Sequence, residues 1–276
     1  MITFQRPDGK SSSAYLVEPV DPKNAPGVVV IQEWWGLDDE IKNVANRLAK
    51  AGYRALVPDL YRGKLALEAN EAEHLMNDLN FGDAASQDIR GAVQYLKATG
   101  SSKVAVTGFC MGGALTVLSA GLVPESDGAV VWYGYPPLEY VDASAIKKPM
   151  LAHWALHDDF FSIAGVDQLE AKLKAAGVTY DFQRYDAKHA FARPARTAPP
   201  HKAPPHERRS RISRRTAKPL RHAPSLADAD HGDDWLDGRH HVVHHHERRH
   251  SRHEHAVRYW PRIGAMGELE LHGGDD

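Results

Sequence analysis

The chain has 276 residues, with 34 lysines and arginines against 36 aspartates and glutamates and a formal net charge of -2. The mild acidity of residues 1–194 argues against nucleic acid as a partner, the single cysteine excludes an intrachain disulfide and fits a reducing compartment, and no run reaches the roughly 18 apolar residues of a membrane span. The start, Met1-Ile2-Thr3-Phe4-Gln5-Arg6-Pro7-Asp8, has no apolar signal-peptide core, so a cytoplasmic protein is expected.

In chain order, residues 13–18 read as an early strand, followed by a turn-rich segment from Pro19 to Pro26. Residues 27–32 form a continuous apolar run of the buried-strand kind, and a helix is predicted over 39–50, closed by Gly52. Residues 55–57 give the next strand, which Pro58-Asp59 ends. Helical periodicity follows over 65–79 and 84–98, the second with apolar positions at Ile89, Val93 and Leu96. A strand over 103–107 leads to a small-residue helix over 114–120. Then come a strand at 128–133, a loop at 134–140, a strand at 150–155, a helix over 166–176 ended by Gly177, and a strand at 180–185. Strands alternating with helices call for a mostly parallel sheet covered by helices on both faces, an α/β architecture. Ligands of such sheets bind in loops at the carboxyl ends of the strands.

The residue types that carry chemistry fall in those loops. Cys110 sits in Gly108-Phe109-Cys110-Met111-Gly112-Gly113, between a β-rich run and a helix. A strand-to-helix turn this sharp needs positions without side chains where backbones approach, and its apex residue points into the cleft. The amino end of the following helix favours a thiolate there. A buried structural cysteine is the alternative, whereas a phosphate cradle would need a longer loop and a lysine. This is where an α/β hydrolase holds its nucleophile, and such enzymes supply nucleophile, acid and histidine in that chain order.

His189 follows the last predicted strand and is the expected base; His157 precedes the acid, and His153 lies within a strand. The acid is Asp158 or Asp159, which spacing alone leaves open. Glu33 ends an apolar strand and precedes Trp34-Trp35-Gly36, placing a carboxylate at the cleft edge where burial would raise its pKa. The backbone amide of Met111 is the more secure oxyanion donor, with a second from the Glu33 loop. Arg193, four residues after His189, suits a bidentate contact to a substrate carboxylate.

Taken together, Gln32-Glu33-Trp34-Trp35-Gly36, Val57-Pro58-Asp59-Leu60-Tyr61, the Cys110 turn, Tyr133-Gly134, the Asp158 loop and His189-Ala190-Phe191-Ala192-Arg193 resemble the dienelactone hydrolase family, or carboxymethylenebutenolidases, of the α/β-hydrolase superfamily. The resemblance spans nearly all of residues 1–194. It implies a Cys110-Asp158-His189 triad, with Asp158 rather than Asp159 as the acid and no metal or organic cofactor. The implied reaction takes 4-carboxymethylenebut-2-en-4-olide (dienelactone) to maleylacetate in aromatic compound breakdown. It also implies that Glu33 holds the resting thiol, and that Arg193 and Trp35 bind a small lactone or ester carrying a carboxylate. A second substrate-binding arginine belongs between Tyr61 and Phe81, where the sequence offers Arg62 alone. No nucleic-acid or membrane partner is expected, and the protein is expected to be a monomer.

The pattern changes near Pro194. Residues 1–194 carry 24 acidic and 19 basic residues, whereas 195–276 hold 13 of the 17 histidines and few aliphatics. Such a segment buries too little apolar surface to offset the entropy of ordering it, so 195–276 is expected to be an irregular tail. The closing helix expected after Arg193 is replaced by Pro194, Pro199, Pro200, Pro204 and Pro205 and by arginine runs. The abrupt change reads as translation in a shifted frame. The alternative is a hydrolase fold of weak or no activity whose His/Arg-rich tail, including His240-His241 and His244-His245-His246, binds metal or a partner.

Overall fold

Strand β3 (Gly27–Ile31) consists of a glycine and four β-branched residues, all buried. A strand buried along its whole length belongs inside a sheet covered on both sides. In the computed structural model, which describes residues 1–193, β3 pairs in parallel with β4 (Arg54–Pro58) on one side and β5 (Val104–Phe109) on the other. The sheet continues from β5 through β6 (Gly128–Trp132), β7 (Met150–His157) and β8 (Tyr180–Lys188), each parallel to its neighbour. On the far side, β2 (Ser11–Val17) pairs antiparallel with β4 and with β1 (Ile2–Gln5). The eight strands lie in the order β1-β2-β4-β3-β5-β6-β7-β8.

Helices occupy both faces. On one, α1 (Asp39–Lys50) lays Ile41 and Ala45 on Val28, Val30, Ala55 and Val57. Its start is fixed by Asp38, whose carboxylate accepts from the Ile41 amide at 3.0 Å. On the other face, α4 (Arg90–Ala98) and α5 (Met111–Leu122) pack over Val29, Ile31, Val104 and Val106. The opposite side of α5, with Val117 and Ala120, shares a second cluster with α6 (Ile163–Ala175) over Ala129, Val131, Met150 and Trp154. Among the described residues no helix is long and apolar enough to cross a membrane.

Several boundaries differ from those read off the sequence, each for a tertiary reason. The four-residue strand β1 was not expected and gains its place by pairing on the sheet edge. The helix expected over 65–79 is α2 (Ala69–Asp78), because Leu65 bridges to Gly36 and the Ala66 amide donates to the Trp35 carbonyl at 3.0 Å. Those bonds tie the loop after β3 to the loop after β4. The helix over 84–98 begins earlier, at α3 (Phe81–Asp83), and passes through a π-helical stretch, Ala84–Ile89, before α4. That wider turn carries the buried Asp88 to Arg6 and Arg62. β7 continues past 155 to His157, so His157 belongs to the strand rather than to a turn. The boundary at 194, the missing closing helix, the irregular tail and its histidine runs lie outside the described residues.

Helix α5 approaches the sheet very closely. A Cβ at Gly112 would stand 2.6 Å from the carbonyl oxygens of both Ile31 and Gln32, backbone atoms that cannot yield without moving β3. Gly112→Ala is therefore expected to destabilise the fold by about 1–3 kcal/mol, the usual range for overpacking. Urea unfolding followed by circular dichroism measures this, and an unchanged midpoint would mean that α5 does not seat this tightly.

Candidate active site

β5 ends at Phe109 and α5 begins at Met111, so Cys110 alone makes the turn. It does so at φ 54° and ψ -114°, in the left-handed half of backbone space that non-glycine residues avoid at a cost of order 1–3 kcal/mol. Two bonds hold it there: the Cys110 amide donates to Trp132 at 3.0 Å, and its carbonyl accepts from Ala114 at 3.1 Å. Gly108 permits the turn, since a side chain there would strike the Gly112 carbonyl. The half-buried sulfur is thereby set at the amino end of a buried helix, where amide dipoles present positive charge. Met111 is the first residue of α5, so its amide has no carbonyl one turn earlier to bond. Its side chain is buried, with Sδ accepting from the Tyr61 hydroxyl at 3.2 Å.

The loops after β7 and β8 bring the other two expected residues together. Asp158 Oδ1 accepts from the amides of Phe160 at 2.8 Å and Phe161 at 2.9 Å, which locks the carboxylate. Its Oδ2 lies 2.8 Å from His189 Nδ1. The Asp158 side chain is 2% exposed, whereas Asp159 faces solvent, so the fold distinguishes two neighbours that spacing left equivalent. The rings of Phe160, Tyr133 and Phe161 surround His189 at centroid distances of 4.9, 5.2 and 5.7 Å. Burial alone would lower the His189 pKa. The charge and hydrogen bond of the Cys110 sulfur, with those of Asp158, outweigh burial and push it up to about 10. His189 thus favours the imidazolium form, placed between sulfur and carboxylate. The other candidate histidines are elsewhere: His157 pairs with exposed Asp186 at 2.7 Å, and His153 stacks on Trp132 and contacts the Tyr185 hydroxyl at 2.8 Å.

Glu33 lies at the end of β3 and is 8% exposed. Burial pushes its carboxyl above the ordinary glutamate range, opposed by the positive charges of Arg193 and His189. Arg193 donates through Nη1 to Glu33 and through Nη2 to Asp38 at 2.9 Å. This differs from what the resemblance implies, in which Glu33 holds the thiol and Arg193 awaits a substrate carboxylate. A buried carboxylate draws the nearest countercharge, and here the guanidinium fork reaches two at once. Arg62 is committed elsewhere, to Ser12, the Asp59 carbonyl and Asp88. Trp35 is half-buried, packs edge-on to Trp34 at 5.2 Å, and sits in the loop clamped by Ala66.

Two residues given no role from the sequence belong to this region. Asp38 caps α1 and shares Arg193; the signal was an acidic residue immediately before a predicted helix. Tyr133 is fully buried, has φ 36°, and carries a hydroxyl without a partner among the described residues. The signal there was Tyr133-Gly134 at the carboxyl end of β6. A cavity of about 200 Å³ lies between α1 and the 192–193 turn, with Glu33, Asp38, Ile41, Phe109, Tyr133 and Arg193 among its walls.

Comparison with known proteins agrees with this architecture. The sequence model of the Dienelactone hydrolase family matches residues 12–216, which carries the match past residue 194. Protein usf of Aquifex pyrophilus is 35% identical over 201 residues, covering 69% of this chain and 86% of its own. A protein of Methylorubrum extorquens provisionally named carboxymethylenebutenolidase is 34% identical over 196 residues, covering 64% of this chain and 67% of its own. Among solved structures, a provisionally assigned dienelactone hydrolase from Klebsiella pneumoniae superposes with a TM-score of 0.61 at 26% identity, over 68% of this chain and 86% of that one. With a match over more than half its length, on an eight-stranded sheet of the same fold, the chain belongs to the dienelactone hydrolase family and is a hydrolase of esters or lactones.

Proposed function

We propose that the protein hydrolyses a carboxylic ester or lactone with Cys110 as nucleophile, His189 as acid and base, and Asp158 as the carboxylate that orients His189. The observation that carries this reading is the 2.8 Å Asp158–His189 pair beside a cysteine held at φ 54°. The Cys110 thiolate adds to the substrate carbonyl carbon, and the resulting oxyanion accepts from backbone amides, with Met111 as one donor. Collapse of the adduct breaks the carbon–oxygen bond to the alcohol or enolate oxygen, which takes the His189 proton and leaves the imidazole neutral. Neutral His189 then removes a proton from water as the water attacks the thioester, which releases the acid and restores the thiolate. Every group used comes from one chain, so a monomer suffices, and a free thiol suits a reducing compartment such as the cytoplasm. Dienelactone is the lactone that the family resemblance puts first: its enolate is a stabilised leaving group and needs little help to depart.

Cys110→Ala is expected to lower kcat/KM for p-nitrophenyl acetate more than about 1,000-fold with the circular dichroism spectrum preserved. Full turnover by that variant would sink the thiolate mechanism. Replacing the buried acid, Asp158→Asn, should cost about 100- to 10,000-fold, whereas Asp159→Asn should stay within about twofold of wild type. A raised histidine pKa stabilises the fold fully below the unfolded value and loses that contribution as pH rises through the folded one. The stability gap between wild type and His189→Gln should therefore be full below about pH 6.5, shrink as pH rises above it, and close as pH passes about 10. Urea titrations across that window measure it; a gap that does not change with pH would place a neutral imidazole at 189.

A further inference from the structure

The three rings that surround His189 differ in what else they touch. Tyr133 is fully buried, and Phe161 is half-buried and packs edge-on to Tyr135 at 5.4 Å. Phe160 is 48% exposed, and its ring contact among the described residues is with His189 alone, at 4.9 Å and 53°. Its amide donates to Asp158 Oδ1 at 2.8 Å, so its backbone is held while much of the ring stays open to solvent. Single exposed apolar residues are ordinary on a protein surface. An exposed aromatic ring in contact with the acid–base imidazole differs from these, because the group on which His189 acts must come to rest beside it.

The chemistry of the first step says which part of the substrate that group is. His189 meets Asp158 through Nδ1, which leaves Nε2 for the leaving oxygen. Proton transfer requires the two within hydrogen-bond reach, about 3 Å. The alcohol or enol carbon bonded to that oxygen is then held next to the imidazole that Phe160 touches. The acyl carbon, by contrast, sits on the sulfur at the end of β5, two strands or roughly 10 Å from the end of β7, whose loop carries Phe160. Two strands away in the other direction, the loop after β4 exposes Leu65 and Leu67. The carboxyl edge of the sheet thus has apolar side chains on both sides of the nucleophile, and only Phe160 adjoins the residue that protonates the leaving oxygen.

We propose that Phe160 is a specificity-determining residue that packs its ring on the alcohol portion of the substrate, so that the enzyme favours esters and lactones whose leaving group is a flat, conjugated enol or phenol. The proposal rests on the Cys110–His189 hydrolase reading and narrows its substrate class. The contact is lost once the alcohol departs, so it assists formation of the acyl-enzyme and has no part in its hydrolysis.

Three esters test this with the full 276-residue chain. Phenyl acetate and trifluoroethyl acetate share an acyl group, whereas phenyl acetate and phenyl butyrate share an alcohol. In Phe160→Ala, the ratio of kcat/KM for phenyl acetate over trifluoroethyl acetate should fall about three- to tenfold relative to wild type, the range for one aromatic contact. The ratio for phenyl butyrate over phenyl acetate should stay within about twofold. A disturbed His189 would slow the more basic trifluoroethoxide at least as much as phenoxide, so it cannot produce the first change. An unmoved first ratio overturns the proposal. A second ratio that moves as far as the first also overturns it, because Phe160 would then serve the acyl portion. Phe160→Leu keeps an apolar side chain without the ring; its first ratio should fall in the same direction, and this variant decides the matter if Phe160→Ala does not fold. Turnover that persists in Cys110→Ala would instead count against the hydrolase mechanism itself, which keeps the two failures apart.

Discussion

The close seat of α5 on the sheet is the constraint on which the rest of the site depends. Residues 111–120 are all buried, and the helix begins one residue after β5 ends, so the chain must reverse direction within Cys110. That is possible only because Gly108 and Gly112 let backbone meet backbone. The cost is the left-handed conformation at Cys110, offset by apolar contacts of α5 on both sides, toward Ile31 and Val106 and toward Val131 and Trp154. A strained apex fastened by a buried helix is a rigid one. Rigidity keeps the sulfur at a fixed place while the loops around it supply partners.

Those partners form two charged groups of different character. In one, the sulfur, His189 and Asp158 make a line in which each charge is stabilised by the next, and the phenylalanines of the Asp158 loop limit water around it. In the other, Glu33 and Asp38 share Arg193. Asp38 also anchors the start of α1, so the second group joins the carboxyl edge of the sheet to that helix. Removing one member of such a buried set leaves an uncompensated charge, which costs more than the set's net contribution to stability. The Glu33–Arg193 pairing also links two loops remote in sequence, after β3 and after β8.

The sequence by itself determined the sheet's alternation, the position of the Cys110 turn and the place of His189 just beyond the last strand. β-branched runs, helical periodicity and glycine spacing are local signals, and each reports a local physical need. Chain order and family motifs carried Asp158, and the position of His189 just past a strand was legible for the same reason. What only the tertiary structure decided were matters of which group faces which. Asp158 and Asp159 have the same chemistry, and the locking amides of Phe160 and Phe161 with the burial of one carboxylate separate them. Helix α2 starts late because Leu65 and Ala66 are taken by the Trp35-Gly36 loop, a contact that periodicity cannot see. Glu33, expected on the thiol, lies on Arg193, and the Tyr133 hydroxyl is left unpaired in a cavity wall. Charge pairing and burial depend on distances between residues far apart in the chain, and those distances exist only once the sheet has assembled.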